Sequence, residues 1–185
     1  MNSLELMIDE HRYIKRMLAV IKKVCYKVMD NEDIDYKDFF KMIDFVRNYA
    51  DKHHHGKEED FLFNRMVEEL GSAAEKLVKY GMLVEHDLGR LFMQQLEEAV
   101  NKVIAGDNKA RLDIIANAIG YHDLLTRHID KEDNVVFTFA QNNLAKETLD
   151  RINKESFEYE RNATDNEVQK KYIGLLESLE NKYEN

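Results

Sequence analysis

The sequence predicts an all-α protein: an up-down-up-down four-helix bundle over residues 1–141, with an additional C-terminal helical hairpin over residues 142–185. Three observations carry this. The 185 residues contain no proline and only seven glycines, the composition of long uninterrupted helices. Apolar residues recur at helical spacing, and their runs are punctuated by short clusters of Gly, Asn and Asp. Finally, the ten-residue string His54-His55-Gly56-Lys57-Glu58-Glu59-Asp60-Phe61-Leu62-Phe63 returns as His128-Ile129-Asp130-Lys131-Glu132-Asp133-Asn134-Val135-Val136-Phe137, which points to a duplicated helix pair.

Taken in order, the first helix spans about Ser3 to Met29, with Ser3 as N-cap and Glu5 and Asp9 near its positive end. Asp30 to Asp35 form an acidic turn. The second helix runs from about Tyr36 to Leu70 and stops at Gly71-Ser72. The third begins near Ser72, is expected to break at Gly81, and continues to about Ile104. After Gly106-Asp107-Asn108 the fourth covers roughly Lys109 to Ala140 and is closed by Asn142-Asn143. Leu144 to Arg161 and Glu167 to Lys182 read as two charged amphipathic helices separated by residues 162–166. This hairpin is expected to pack on the bundle, with a homodimer or protein-partner surface as the sharper alternative.

Both copies of the string read H-x-x-K-E-acidic-x-apolar-apolar-Phe. A histidine followed four residues later by a glutamate places both side chains on one helical face, where one metal ion can touch both. A second pair supports the duplication: Glu10-His11 matches Glu85-His86, 75 positions on, while His54 and His128 are 74 apart. Inward projection from four helices would gather His11, His54, Glu58, His86, His128 and Glu132. Four imidazoles and two carboxylates exceed a tetrahedral zinc site and lack thiolates. They suit two metal ions with the glutamates bridging or chelating, iron first and manganese or zinc behind it.

His55/Glu59 is an equally spaced alternative to His54/Glu58, and helical geometry even sets His55 nearer the centre of the apolar face. The repeat favours His54, because His128 aligns with it when Lys57/Lys131 and Phe63/Phe137 are superimposed. His53 and His55 then become exposed residues or residues behind the ligands. His122 precedes His128 by six residues, about 240° around an ideal helix, and should sit off the site. Tyr121 precedes it by seven and should line the pocket, as core packing or as a phenol near a bound ligand.

These residues resemble the hemerythrin-like, or HHE cation-binding, family. The resemblance spans about Met1 to Ala140 and rests on Asp9-Glu10-His11, His54-x-x-Lys57-Glu58-Glu59, Glu85-His86-Asp87 and His128-Ile129-x-Lys131-Glu132-Asp133. It implies a four-helix bundle around two non-haem iron ions, oxo- or hydroxo-bridged and joined by carboxylates, in proteins that bind or react with dioxygen, nitric oxide or peroxide. Two departures stand out. Oxygen-carrying members have a fifth histidine one turn after the third-helix one, where this chain has Arg90, and family strings commonly end Phe-Pro where this chain has Phe63-Asn64 and Phe137-Thr138. The four-histidine pattern is more similar to the iron-sulfur-repair and nitric-oxide-response branch. Gly89, three residues after His86, leaves room for a small ligand.

The resemblance thus implies a sensor, scavenger or stress-response factor. Iron storage or delivery for iron-sulfur repair, a reversible oxygen carrier, and a di-iron peroxidase or nitric-oxide reductase remain alternatives, as does a purely structural adaptor. The formal charge of −9 and the lack of a basic block argue against nucleic acid. No stretch is apolar enough for a membrane span, so a cytoplasmic protein is expected. The single cysteine, Cys25, excludes an internal disulfide and falls in an apolar helical series, which makes it a core residue.

Overall fold

The computed structural model describes residues 2–184; the expected domain limits Met1 and Asn185 lie outside them. Six helices and no strand occur among the described residues. Helix α1 is Ser3–Met29. Its N-cap is Asn2 rather than Ser3: Asn2 accepts from the Glu5 amide at 2.9 Å, and the Glu5 carboxylate accepts from the Asn2 amide at 2.8 Å. Ser3 is already engaged, its amide and hydroxyl both donating to Asn153 at 2.8 Å.

Helix α2 covers residues 38–70 and α3 residues 72–104, divided by Gly71 at φ 66°, a conformation open to glycine. The break expected at Gly81 does not occur. The chain stays helical there by widening into a π turn over Val78–Met82. Helix α4 covers residues 111–143 after a 3-10 turn at Asn108–Ala110. Helix α5 is Lys146–Asp165 and α6 is Val168–Lys182, so α5 runs through most of the expected linker. The reversal between them uses Glu167 at φ 55°.

Two apolar clusters build the interior. One contains Ile14, Val24, Tyr49, Met93, Tyr121 and Leu125; the other contains Met7, Leu62, Met82, Val136 and Ile152. Helices α1 and α3 enter from the second cluster and leave through the first, whereas α2 and α4 cross in the opposite sense. All the polar residues of interest fall between the two clusters, so the site is a hydrophilic layer clamped by apolar ones. Cys25 lies in the first cluster, and burial pushes its thiol up to about 12.

Helices α5 and α6 pack against α1 and α2. Tyr172 meets Phe45 and Tyr49 with ring centroids 6.2 and 6.4 Å apart. Arg16 grips Glu180 through two bonds of 2.9 and 2.6 Å, and the Tyr183 hydroxyl donates to the buried Asp38 carboxylate at 2.6 Å. No described helix is long and apolar enough to cross a membrane.

Candidate metal centre

Three of the four helices that reach the polar layer change their winding near it. In α2, Val46–His55 and Glu58–Phe63 are π-helical; in α4, Glu132–Val136 is, and in α3 the widened turn ends just before His86. A π turn takes up extra residues and rotates the side chains that follow it, and such turns concentrate at functional sites. The consequence is direct in α2: His53, His54 and His55 are all buried, at 2, 0 and 5 % exposure. Neither His53 nor His55 is exposed: His53 lies behind His54, its Nε2 3.0 Å from the Glu10 carboxylate that also holds His54, and three successive inward side chains exceed what one face of a regular α-helix offers.

Ligand-type atoms within 4.8 Å of one another form two adjoining sets, His11, His54, Glu58 and Glu132 in one and His55, Glu58, His86 and His128 in the other. All seven side chains are buried. The six residues selected from the repeats are divided between these sets, and His55 is added to them.

Glu58 and Glu132 each face both sets. Glu58 Oε1 is 3.4 Å from His54 Nε2 while its Oε2 is 3.7 Å from His86 Nε2. Glu132 Oε2 is 3.3 Å from His11 Nε2 while its Oε1 is 3.0 Å from His128 Nε2. Each carboxylate thus turns one oxygen to either set of imidazoles.

Behind the rings, every Nδ1 of these histidines meets a carboxylate. His11 pairs with Asp133 at 2.7 Å, His54 with Glu10 at 2.8 Å, His86 with Glu59 at 2.6 Å and His128 with Glu85 at 2.8 Å. His55 follows the same pattern with Asp51 at 3.3 Å. In a neutral ring such a bond places the proton on Nδ1 and turns Nε2 into the layer as the stronger donor; Nε2 of His86 and His128 there lie 3.0 Å apart. The first four pairs obey the internal duplication: Glu10 and Glu85 immediately precede His11 and His86, and Glu59 and Asp133 immediately follow Glu58 and Glu132. These four carboxylates were missed in the sequence reading, although the repeated E-H and K-E-acidic strings carried the signal.

The unpaired atoms of the donor set fit a metal ion. Buried Nε2 of His11 and His54 and both oxygens of Glu58 and Glu132 have no hydrogen-bond partner among the described residues. That many orphaned polar atoms would be strongly destabilising unless a cation drew them together. Electrostatics record the same tension. Burial, together with the facing Glu132, raises the Glu58 carboxyl well above its usual range; burial also opposes ionisation of Glu132, but His128 and His11 outweigh it and hold that group well down. Burial and neighbouring His11 lower His54 to about 4, whereas Glu132 and Glu85 overcome burial and raise His128 to about 9. Burial and His86 keep His55 neutral.

A third set, Glu10, His53 and Glu160, also brings ligand-type atoms together. Its cation is already present: the fully buried Lys57 ammonium bonds to both Glu10 and Glu160. Glu160 belongs to α5, so the C-terminal hairpin reaches through Lys57 and Glu10 to the back of His54. His122 pairs with neighbouring Asp123 at 2.8 Å and belongs to neither donor set.

Tyr121 lines a cavity of about 280 Å³ with His55, His86, Gly89 and Met93, and Arg90 and Asp51 stand at its polar side. The buried Tyr121 hydroxyl has no partner among the described residues. Arg90 holds Asp51 through its Nε at 3.0 Å and Nη2 at 2.7 Å, and also reaches Glu59 at 2.8 Å.

Helices that present buried imidazoles and carboxylates across one polar layer define a helical cation-binding protein. The model of the hemerythrin HHE cation binding domain matches residues 2–140, and the chain belongs to that family. Searches among curated proteins and solved structures return no match.

Proposed function

We propose that the chain is a non-haem di-iron protein that binds or reacts with dioxygen, nitric oxide or peroxide, serving as a sensor, scavenger or stress-response factor. The observation that carries this is the placement of Glu58 and Glu132, each turning one oxygen to the His11/His54 side and the other to the His86/His128 side. In this reading His11, His54, His86 and His128 supply one imidazole each and the two glutamates join the ions. Iron bound there would supply the redox chemistry. The protein's share is to hold the rings through Asp133, Glu10, Glu59 and Glu85, to exclude bulk water between two apolar clusters, and to admit small molecules through the cavity beside His86 and Tyr121. We further read α1 to α4 as an up-down-up-down bundle ending near residue 141 and α5–α6 as a hairpin that buttresses it, in a cytoplasmic protein.

Anaerobic reconstitution with ferrous iron tests this. Two irons per chain are expected, with optical spectra that change on adding nitric oxide and then, in a separate sample, oxygen. Failure to retain iron, or iron that answers neither gas, would overturn the reading. Turnover of peroxide or nitric oxide that is lost in Glu58→Ala would mark the protein as an enzyme.

A further inference from the structure

His55 is buried among the candidate donors, yet the duplicated strings leave it unassigned. It has no counterpart in the second string, where Ile129 occupies its place, and it was set aside in favour of His54 for that reason. We propose that His55 is a fifth imidazole ligand of the centre, donated by α2 to the side that His86 and His128 form, and that Asp51 and Arg90 position it. This rests on the di-iron reading above and deepens it.

Four observations converge. A ring nitrogen of His55 is within 4.8 Å of ligand atoms of Glu58, His86 and His128. The ring stacks on His86 at a centroid distance of 3.8 Å and stands edge-on to His128 at 5.7 Å, so the three imidazoles share one small volume. Its Nδ1 meets a carboxylate, as do those of the four duplicated histidines, whereas His53 turns its Nε2 to Glu10 at 3.0 Å and Glu160 at 3.2 Å, away from the donor sets. Finally, the π-helical stretch Val46–His55 is what lets adjacent His54 and His55 both reach the layer, one for each set.

The support behind the ring is built as well. Asp51 sits one turn before His55 on α2, and the Arg90 guanidinium from α3 fixes it with bonds of 3.0 and 2.7 Å. Arg90 continues to Glu59, which holds His86. One arginine thus braces the carboxylates behind two neighbouring imidazoles. With His55 counted, the two positions differ: three imidazoles on one side and two on the other, with an oxygen of each glutamate turned to both. The three-imidazole side opens on the cavity, since His55 and His86 both line it.

Mössbauer spectra of the full-length protein loaded anaerobically with ⁵⁷Fe(II) test the assignment without recourse to activity. The wild type is expected to give two unequal doublets of equal area. His55→Gln, similar in size and accompanied by circular dichroism to check helicity, should displace or remove one doublet and spare the other. His55→Gly should do the same, and added imidazole should restore the lost signal through the adjoining cavity. Asp51→Asn should keep both irons and shift the same doublet, as befits a positioning residue. Two irons in every variant with both doublets unchanged would overturn the role of His55 and leave the di-iron reading standing; a wild type without iron would overturn both.

Discussion

Asp133 Oδ1 lies 2.7 Å from Nδ1 of His11 although 122 positions separate the two residues. The bond fixes a ring of α1 from α4, and its counterpart from Glu59 to His86 fixes a ring of α3 from α2 at 2.6 Å. Removing such a carboxylate commonly lowers metal affinity about 10- to 100-fold. Asp133→Ala should show a loss in that range in competition with a chromogenic chelator, while Asp130→Ala, whose side chain is exposed, should leave affinity unchanged. Equal affinities would remove the supporting role of Asp133.

Lys57 and Lys131 occupy equivalent places in the repeated strings, yet the first is fully buried and the second about half exposed. Tyr159 and Glu160 of α5 cover Lys57. Lys57→Met would leave the carboxylates of Glu10 and Glu160 facing each other and should cost about 3–5 kcal/mol in urea unfolding. Lys131→Met, at a screened surface pair with Glu85, should cost no more than about 1 kcal/mol. Equal costs would show that the hairpin contributes nothing to this network.

Two of the buried histidines, His54 and His128, pull the pH response of the metal-free protein in opposite senses. His128 is raised from 6.5 to about 9, chiefly because Glu132 and Glu85 outweigh its burial, so its contribution is complete below about 6.5 and disappears as pH climbs through 9. His54 is lowered from 6.5 to about 4 by burial and by His11, so its contribution is complete above about 6.5 and disappears as pH falls through 4. Together these two contributions are greatest near pH 6.5; His11 and His53, raised by carboxylates against their burial, add to the loss of thermal midpoint on the alkaline side, and His55, lowered by burial, adds to the loss on the acid side. Loading with ferrous iron requires a neutral His128 and should release a proton at pH 7 and flatten the alkaline limb. Unchanged alkaline limbs with and without bound iron would argue against His128 as a ligand.

Gly89 lies on the cavity wall, where a methyl group would stand 3.4 Å from the Tyr121 ring and 3.5 Å from Leu125. Gly89→Ala therefore fits with ordinary contact, whereas Gly89→Leu should fill the space. In stopped-flow mixing with nitric oxide, the leucine variant should bind at least about tenfold more slowly, equivalent to about 1.4 kcal/mol of barrier, with its iron content intact. Identical rates would mean that small molecules enter elsewhere.

Much of the site was legible because duplication writes the same chemistry twice. The paired strings singled out His54/Glu58 and His128/Glu132, and the matched Glu10-His11 and Glu85-His86 added the other two histidines. Legibility ended at His55. Ile129 in the matching position argued against it, although a 3.6-residue period already set it toward the apolar face; what that period does not show is the π winding that brings His53, His54 and His55 inward together. Gly81 was misjudged for a related reason: a glycine that weakens an isolated helix is tolerated where tertiary packing carries the segment.

The sequence by itself determined that long proline-free helices would form, which buried polar residues recur, and that the chain falls in a cation-binding helical family. Those properties follow from local spacing and composition, and survive whatever the helices pack against. Only the tertiary structure decided which carboxylate stands behind each imidazole, that α5 buries Lys57 but leaves Lys131 half exposed, and that His55 turns inward beside His54. These depend on the rotation of each helix about its own axis, which is set by packing against its neighbours across distances in sequence that no local pattern records.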